Sequence, residues 1–348
     1  MSFERFTPDD FIVSSDAISS TCWTTGAPAL TQFFTSSTQA NGSSGFYYLN
    51  VYQTSSLLSG SAVQFAIAYG NAAGSGSANY DNAVNGKSPT GTIFGQWQDL
   101  VIGDENTNFT FGAITSSEFF ALPIERACYK EALFLGSLTL ELSGSEGVIS
   151  LTDNSNYVTT IEYCAAGRVF QLITGSAGTR ATITSRNTVD GYSVSSGSYG
   201  WLLPDIGAII LNPLALSQPS GSGGINFVSS GSASATGSIV TSPNASLYRS
   251  ISGSSASFFA LNSQETITSD FVFVRPRSSQ FNYSENPSVI SGSTGEVLYP
   301  QFINNPQTYI TTIGLYNDTN ELLAVAKLSR PLPKDFTKEA LVRVKLDF

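Results

Sequence analysis

The side chains able to do chemistry are few, and their spacing groups none of them. Asp104, Glu105, Glu118, Glu125, Glu131 and Glu141 are the candidate acids, because glycoside hydrolysis needs two carboxylates, one protonating and one attacking or activating water. No spacing among them marks a pair, and each reads as a turn or surface acid. The chain contains no histidine. Imidazole is the side chain whose unperturbed pKa lies in the physiological range, so its absence removes Ser-His-Asp and Cys-His nucleophile activation and most zinc chemistry.

Cys22, Cys128 and Cys164 are far apart and odd in number. They lack the close pairing of a zinc ribbon or redox motif, cannot all pair within one chain, and read as small buried thiols in a reducing cytoplasm. Asn85-Gly86-Lys87-Ser88 looks like the end of a phosphate-binding loop, but Asp81 stands where the first glycine belongs and no strand-to-helix context follows. The expectation is a chain with no catalytic residues, no cofactor, no metal and no small-molecule substrate.

Composition sets the elements that must carry any surface. Of 348 residues only 12 % are charged and 12 % are aromatic, with 31 glycines. That mixture, rich also in Ser and Thr, suits sheets with tight turns, whereas helices draw on Ala, Leu, Glu and Lys. The expected class is mainly β: antiparallel sheet or β-sandwich domains with long Ser/Gly-rich loops and one or two short helices. At 41 % hydrophobic the chain is too apolar to stay disordered. Residues 1–20 mix acids and Arg5 into short apolar pieces, so no secretory signal is expected, and no run of eighteen apolar residues predicts a membrane span.

Net charge is −10 and uneven. Lys327, Arg330, Lys334, Lys338, Arg343 and Lys345 stand against Asp335, Glu339 and Asp347 in the last 22 positions, which leaves +3 there and −13 elsewhere. Three net charges mixed with acids are too few for strong counterion release, so nucleic acid is not expected as the main ligand. A contact between this basic tail and an acidic neighbour is the better reading.

Four segments follow along the chain. Residues 1–25 form an N-terminal arm, with Phe3, Phe6, Phe11 and Ile12 as anchors for the chain's own body or a neighbour. Residues 26–200 form a β-rich main domain. In it GFYYLNVYQT and SAVQFAIAYG pair as strands, Asn71 to Thr90 is a polar loop, and TIFGQWQDLVIG, NFTFGAIT, LFLGSLTLELSG, VISLTD, YVTTIEY and GRVFQLITG read as strand pieces. Pro123 to Leu135 fits either a short helix or a strand followed by a turn. Residues 201–262 hold a buried strand in GWLLPDIGAIILNP, bent at Pro204, then a Ser/Gly-rich loop from Gln218 to Ser242 and, over 244–262, one or two helical turns on Leu247, Ile251, Phe258 and Leu261.

Residues 263–348 form a C-terminal β domain. Tyr309 to Tyr316 and Leu322 to Leu328 flank Asn317-Asp318-Thr319-Asn320, the residue types that close a hairpin turn. Val342, Val344, Leu346 and Phe348 alternate with Arg343, Lys345 and Asp347, the pattern of a half-buried strand. Ser329 to Lys338, stiffened by Pro331 and Pro333, is a connector expected to return that strand onto the hairpin.

The opening MSFERFTPDDFIVSSDAISS, the stretch FAIAYGNAAGSGSANYDNAVNGKSPT, the run SYGWLLPDIGAIILNP and the closing IGLYNDTNELLAVAKLSRPLPKDFTKEALVRVKLDF resemble a virion structural protein of T-even-like, contractile-tailed phages of marine cyanobacteria. The resemblance covers nearly the whole chain and implies a tail or baseplate location, assembly in the host cytoplasm, and other virion proteins and copies of itself as partners. It offers no catalytic residue to carry over. Phe3, Phe6, Phe11, Lys338, Arg343, Lys345 and Phe348 are the expected assembly residues. The competing expectations are a receptor- or glycan-binding fibre-like module and a head or neck protein.

Overall fold

The computed structural model describes residues 4–30, 35–36, 48–54, 61–74, 89–227, 243–252, 259–284 and 286–347. The chain is mainly β and divides into two compact units, Ile18–Glu265 and Met1–Ala17 with Thr266–Phe348. Residues 201–262 therefore belong with 26–200 rather than forming a segment of their own. The expected arm is in large part a strand.

In chain order the elements up to the centre of the larger unit are β1 (Phe11–Thr21), which enters it, β2 (Ala29–Leu30), β3 (Thr35–Ser36), β4 (Tyr48–Thr54), β5 (Ser61–Asn71), α1 (Pro89–Ile102), β6 (Phe109–Phe111), β7 (Ile114–Ser116), β8 (Glu118–Pro123) and β9 (Ala132–Leu133). Next come β10 (Thr139–Gly144), β11 (Gly147–Asp153), β12 (Glu162–Cys164), β13 (Gly167–Ser176), β14 (Thr179–Arg180), β15 (Gly200–Leu203) and β16 (Ala208–Leu211). The unit closes with α2 (Pro213–Ser217), α3 (Pro243–Ser252), β17 (Phe259–Ala260) and the start of β18 (Asn262–Val274). Its sheet runs β2-β17-β10-β11-β13-β15-β16-β8-β5-β4-β3, with β12 and β14 added to β13, and its ladders are antiparallel.

The middle of this sheet is buried on both faces, and the alternation of side chains sorts them into two cores. Phe65, Ile67, Phe120, Leu122, Phe170, Leu202, Ile209 and Leu211 fill one face. Ala68, Phe119, Ala121, Val169, Leu203, Ala208 and Ile210 fill the other, beneath α1 and the β6–β7 hairpin. Each fully buried large side chain contributes roughly 1.5–3 kcal/mol. Aromatic rings knit both layers: Phe259 meets Trp23 at 4.9 Å and Phe65 at 5.3 Å, and Phe109 meets Phe119 at 4.8 Å.

Two expectations fail here for one reason, that short apolar runs do not declare their period. TIFGQWQDLVIG is not a strand but most of α1, whose buried Thr90, Phe94, Gln98 and Val101 are spaced for one helical face. Pro89 fits its first position and Gly103, at φ +77°, donates to the carbonyls of Asp99 and Gln98 to close it. GWLLPDIGAIILNP is two strands, β15 and β16, paired Leu203 to Ala208 and Gly200 to Leu211 across a turn at 204–207. Gly207 has φ +67°, and a Cβ there would lie 2.3 Å from the Tyr129 ring. A reversal is possible there only with glycine.

Arg126–Cys128 forms a single 3-10 turn between β8 and β9, the strand-and-turn alternative for 123–135. The loop from Gln218 is ordered where described, with Ile225 and Phe227 buried; residues 228–242, like 75–88 of the polar loop with its Asn85-Gly86-Lys87-Ser88, lie outside the described residues. Helix α1 spans 14 residues, longer than the short helices expected. Among the described residues no helix is long and apolar enough to cross a membrane.

The smaller unit takes the rest of β1 and β18 and adds α4 (Gln301–Asn304), β19 (Thr308–Tyr316), β20 (Leu322–Lys334) and β21 (Val342–Asp347). β18 stands between β1 and β21, and β19 pairs with β20. The hairpin turn is built as expected: Asn317 Oδ1 accepts from the Thr319 and Glu321 amides, and Asn320 takes φ +64°. The proline connector is corrected, because β20 runs on through Pro331 and Pro333 to pair Lys334 with Thr308. Leu328 to Pro331 lie opposite Thr311 alone, and that bulge accommodates residues that cannot donate to the ladder.

The last strand is corrected too. β21 makes its ladder with β18, Val342 opposite Val274 through Asp347 opposite Ser269, and not with the hairpin. Only its side chains meet the hairpin, in a small core of Val272, Leu315 and Val344 with Ile313, Ala324, Ala326, Leu346 and Phe6 around it. Sequence alternation marks which face is buried; it does not mark which strand supplies the hydrogen bonds.

Candidate assembly surface

The expected assembly residues of the described chain all lie in the smaller unit, and they fall into three places. Phe6 packs on the small core, and Phe11 meets it edge-on with centroids 5.3 Å apart. Phe6 thereby anchors its own unit, while Phe11 at the start of β1 stays 48 % exposed. Phe3 and Phe348 lie outside the described residues.

Arg343 and Lys345 come together on the outward face of β21, because Val342, Val344 and Leu346 occupy the inward one. Their cross-strand neighbours are Phe273 and Phe271. The Arg343 guanidinium sits 5.2 Å and the Lys345 ammonium 6.0 Å from the Phe271 ring centroid, within reach of a cation–π contact worth about 0.5–1 kcal/mol at an exposed site. Lys345 also pairs with Asp347 at 2.8 Å, and Ser269 donates to the same carboxylate at 2.6 Å. The Lys345 hydrogen bond, then that of Ser269, holds the Asp347 carboxyl below its ordinary value.

Lys338 belongs to the turn after β20. It pairs with Asp335 at 3.2 Å. Asp335 accepts from the Thr337 hydroxyl at 2.6 Å and the Thr337 amide at 2.8 Å, and these bonds, with Lys338, pull its carboxyl down to about 2. Next to it Lys334 is fully buried, its ammonium donating to the Ser278 carbonyl at 3.0 Å, Asn282 Oδ1 at 3.0 Å and the Asp335 carbonyl at 3.1 Å. Three donors meet three acceptors, the condition for burying an ammonium. Lys334 is thus a fitting of the turn, whereas the Lys338 side chain, 57 % exposed, pairs with Asp335 at its surface.

Alternation along β1 and β19–β20 leaves more apolar surface outside than sequence reasoning expected. Tyr309, Leu322, Leu323 and Val325 on the hairpin are each more than half exposed, as are Ile12 and Val13 on β1. The signal was present in the sequence: in a two-stranded ribbon both faces are apolar, where one buried face needs only one.

The candidate carboxylates of the larger unit are spread among different local tasks. Asp104 accepts from the Asn106 amide and the Thr107 hydroxyl in the turn after α1, which lowers its carboxyl. Glu118 accepts from the Tyr69 hydroxyl, and burial foremost pushes that phenol up. Glu141 accepts from Ser150 on the neighbouring strand, and Glu125 and Glu131 are exposed. Among the described residues no three His, Cys, Asp or Glu side chains are grouped to hold a metal. Cys22, Cys128 and Cys164 are free thiols; burial pushes Cys22 up to about 12 and Cys128 to about 11. No family, curated protein or solved structure matches the chain in sequence or fold comparison.

Proposed function

We propose that the chain is a non-enzymatic structural subunit of a phage virion, of the tail or baseplate, and that it acts by contact with other virion proteins and with copies of itself. The wording of its termini, which resembles a cyanophage virion protein, is one support. The observation that carries the reading is the surplus of exposed apolar strand in the smaller unit, on β1 and on the β19–β20 hairpin. Exposed apolar surface of this kind is what subunits use to dock, and exposed strands add to neighbouring sheets. The Asp104, Glu118 and Glu141 carboxylates, engaged in turn and strand contacts, support a non-enzymatic role.

The experiment is mass spectrometry of purified particles with antibody labelling under the electron microscope. Peptides of this chain in the particle and label on the tail or baseplate are expected. Particles free of it, or label at the head, overturn the reading.

A further inference from the structure

The sheet β1-β18-β21 ends on two edges of different character. β21 carries Arg343, Lys345 and Asp347, and such charges keep an edge strand from pairing. β1 is 11 residues long, holds no proline, lysine or arginine, and has one charge, Asp16. Phe11, Ile12, Val13 and Ile18 on it are 48, 53, 67 and 47 % exposed. Successive side chains point to opposite faces, so β1 is open on both. Among the described residues β18 is its one sheet neighbour, which leaves a row of outward backbone groups to be satisfied.

We propose that β1 is a homodimerisation edge, pairing antiparallel with β1 of a second copy about a two-fold axis at Ser15. A two-fold axis normal to the sheet keeps each side chain on its own face, so the axis must pass through a residue. With Ser15 at the centre, Ser14 lies opposite Asp16, Val13 opposite Ala17 and Ile12 opposite Ile18. Both Ile12–Ile18 pairs then cover exposed β-branched side chains, and no like charges meet. Centring on Asp16 would set two carboxylates face to face, and centring on Ser14 would set Ile12 against Asp16. Self-pairing of β21 about Val344 would oppose Arg343 with Lys345.

A head-to-tail joint of β21 to β1 is also less favourable. Asp10 pairs with Arg275 at 3.5 Å and the Cys22 amide donates to the Leu261 carbonyl, so β1 runs antiparallel to β18, as β21 does. β1 and β21 are therefore parallel to each other, and joining them would make a parallel ladder, the weaker kind per residue. The self-complementary pairing of β1 identifies the occupant as a second copy of this chain. The inference does not rest on the virion reading, since a dimer in solution requires nothing from a phage.

The test is the mass of the full chain in solution by sedimentation equilibrium. The chain is expected to dimerise. Ile12→Lys with Ile18→Lys puts like charges opposite and is expected to give a folded monomer whose melting no longer depends on concentration, whereas Ile12→Lys with Ile18→Glu sets opposite charges together and is expected to dimerise again. Ser15→Cys leaves the apolar positions intact and is expected to cross-link on mild oxidation, because opposed Cα atoms about 4.5–5.5 Å apart are within disulfide reach. Ser19→Cys, far from the axis, should not. A chain that is monomeric at every concentration, or a dimer that survives the two lysines and does not cross-link through Ser15→Cys, overturns the proposal.

Discussion

The two units solve the problem of stability in opposite ways. The larger one buries Phe, Leu and Ile on both faces of a central sheet, and even its buried acid, Asp153, accepts from the Gly136 and Ser155 amides. Among the described residues the smaller one has a small apolar core built on Val272, Leu315 and Val344, and relies on ladders and polar closures such as Lys334 and Asp335. Ile12 and Val13 on β1 and Tyr309, Leu322, Leu323 and Val325 on the hairpin stay outside. Stability and surface thus draw on the same limited supply of apolar residues, and the unit that buries fewer is the one equipped to dock.

The comparison can be broken at the larger core first. Phe65 is fully buried between Trp23 and Phe259, so Phe65→Ala is expected to cost about 3–5 kcal/mol, read by denaturant unfolding followed at tryptophan fluorescence. A loss under about 0.5 kcal/mol, the range of surface substitutions, would show that this core does not carry the unit. In the smaller unit the corresponding blow is polar. Lys334→Met leaves the Ser278 and Asp335 carbonyls and Asn282 Oδ1 without their donor, an expected loss of about 1–3 kcal/mol, with hydrogen exchange accelerating in 276–283 and at the end of β20 before it changes in the larger unit. Equal acceleration in both would erase the distinction.

Acid sharpens it further. The folded Asp335 carboxyl is held at about 2 against an ordinary 3.8. A depressed folded value means its contribution is complete above the unfolded value and is lost as pH falls from about 4 towards 2. The turn at 335–338 is expected to loosen in that window, seen by exchange or by the Thr337 amide resonance, and Asp335→Asn should flatten the dependence. The smallest effect concerns thiols. Burial, with Cys128 a lesser cause, holds Cys22 at about 12, so it is protonated at neutral pH and expected to react with maleimide only as fast as the larger unit opens. Rapid labelling of Cys22 in the folded chain would contradict that packing.

Elements with complete local signals were legible before the structure. The 317–320 turn declares itself through Asn317 and Asn320, and the β4–β5 pair through two strand runs close in sequence. Helix α1 was not legible, because Gly91, Gly95 and β-branched neighbours mask a buried face that only the β5–β8 surface reveals. Of the expected assembly residues, alternation in the sequence puts Arg343 and Lys345 on the polar face of β21, as the structure does, whereas the packing of Phe6 on its own unit's core and the pairing of Lys338 with Asp335 carried no local signal.

By itself the sequence determined the β class, the absence of imidazole chemistry, and which side of β21 is apolar, since residue type and a period of two are local properties. Only the tertiary structure decided that β21 pairs with β18 instead of the hairpin, that GWLLPDIGAIILNP folds back on itself, and that β1 stands, among the described residues, at the edge of its sheet. Backbone hydrogen bonds carry no residue identity, so the choice of strand neighbour is made by the packing of side chains distant in the chain.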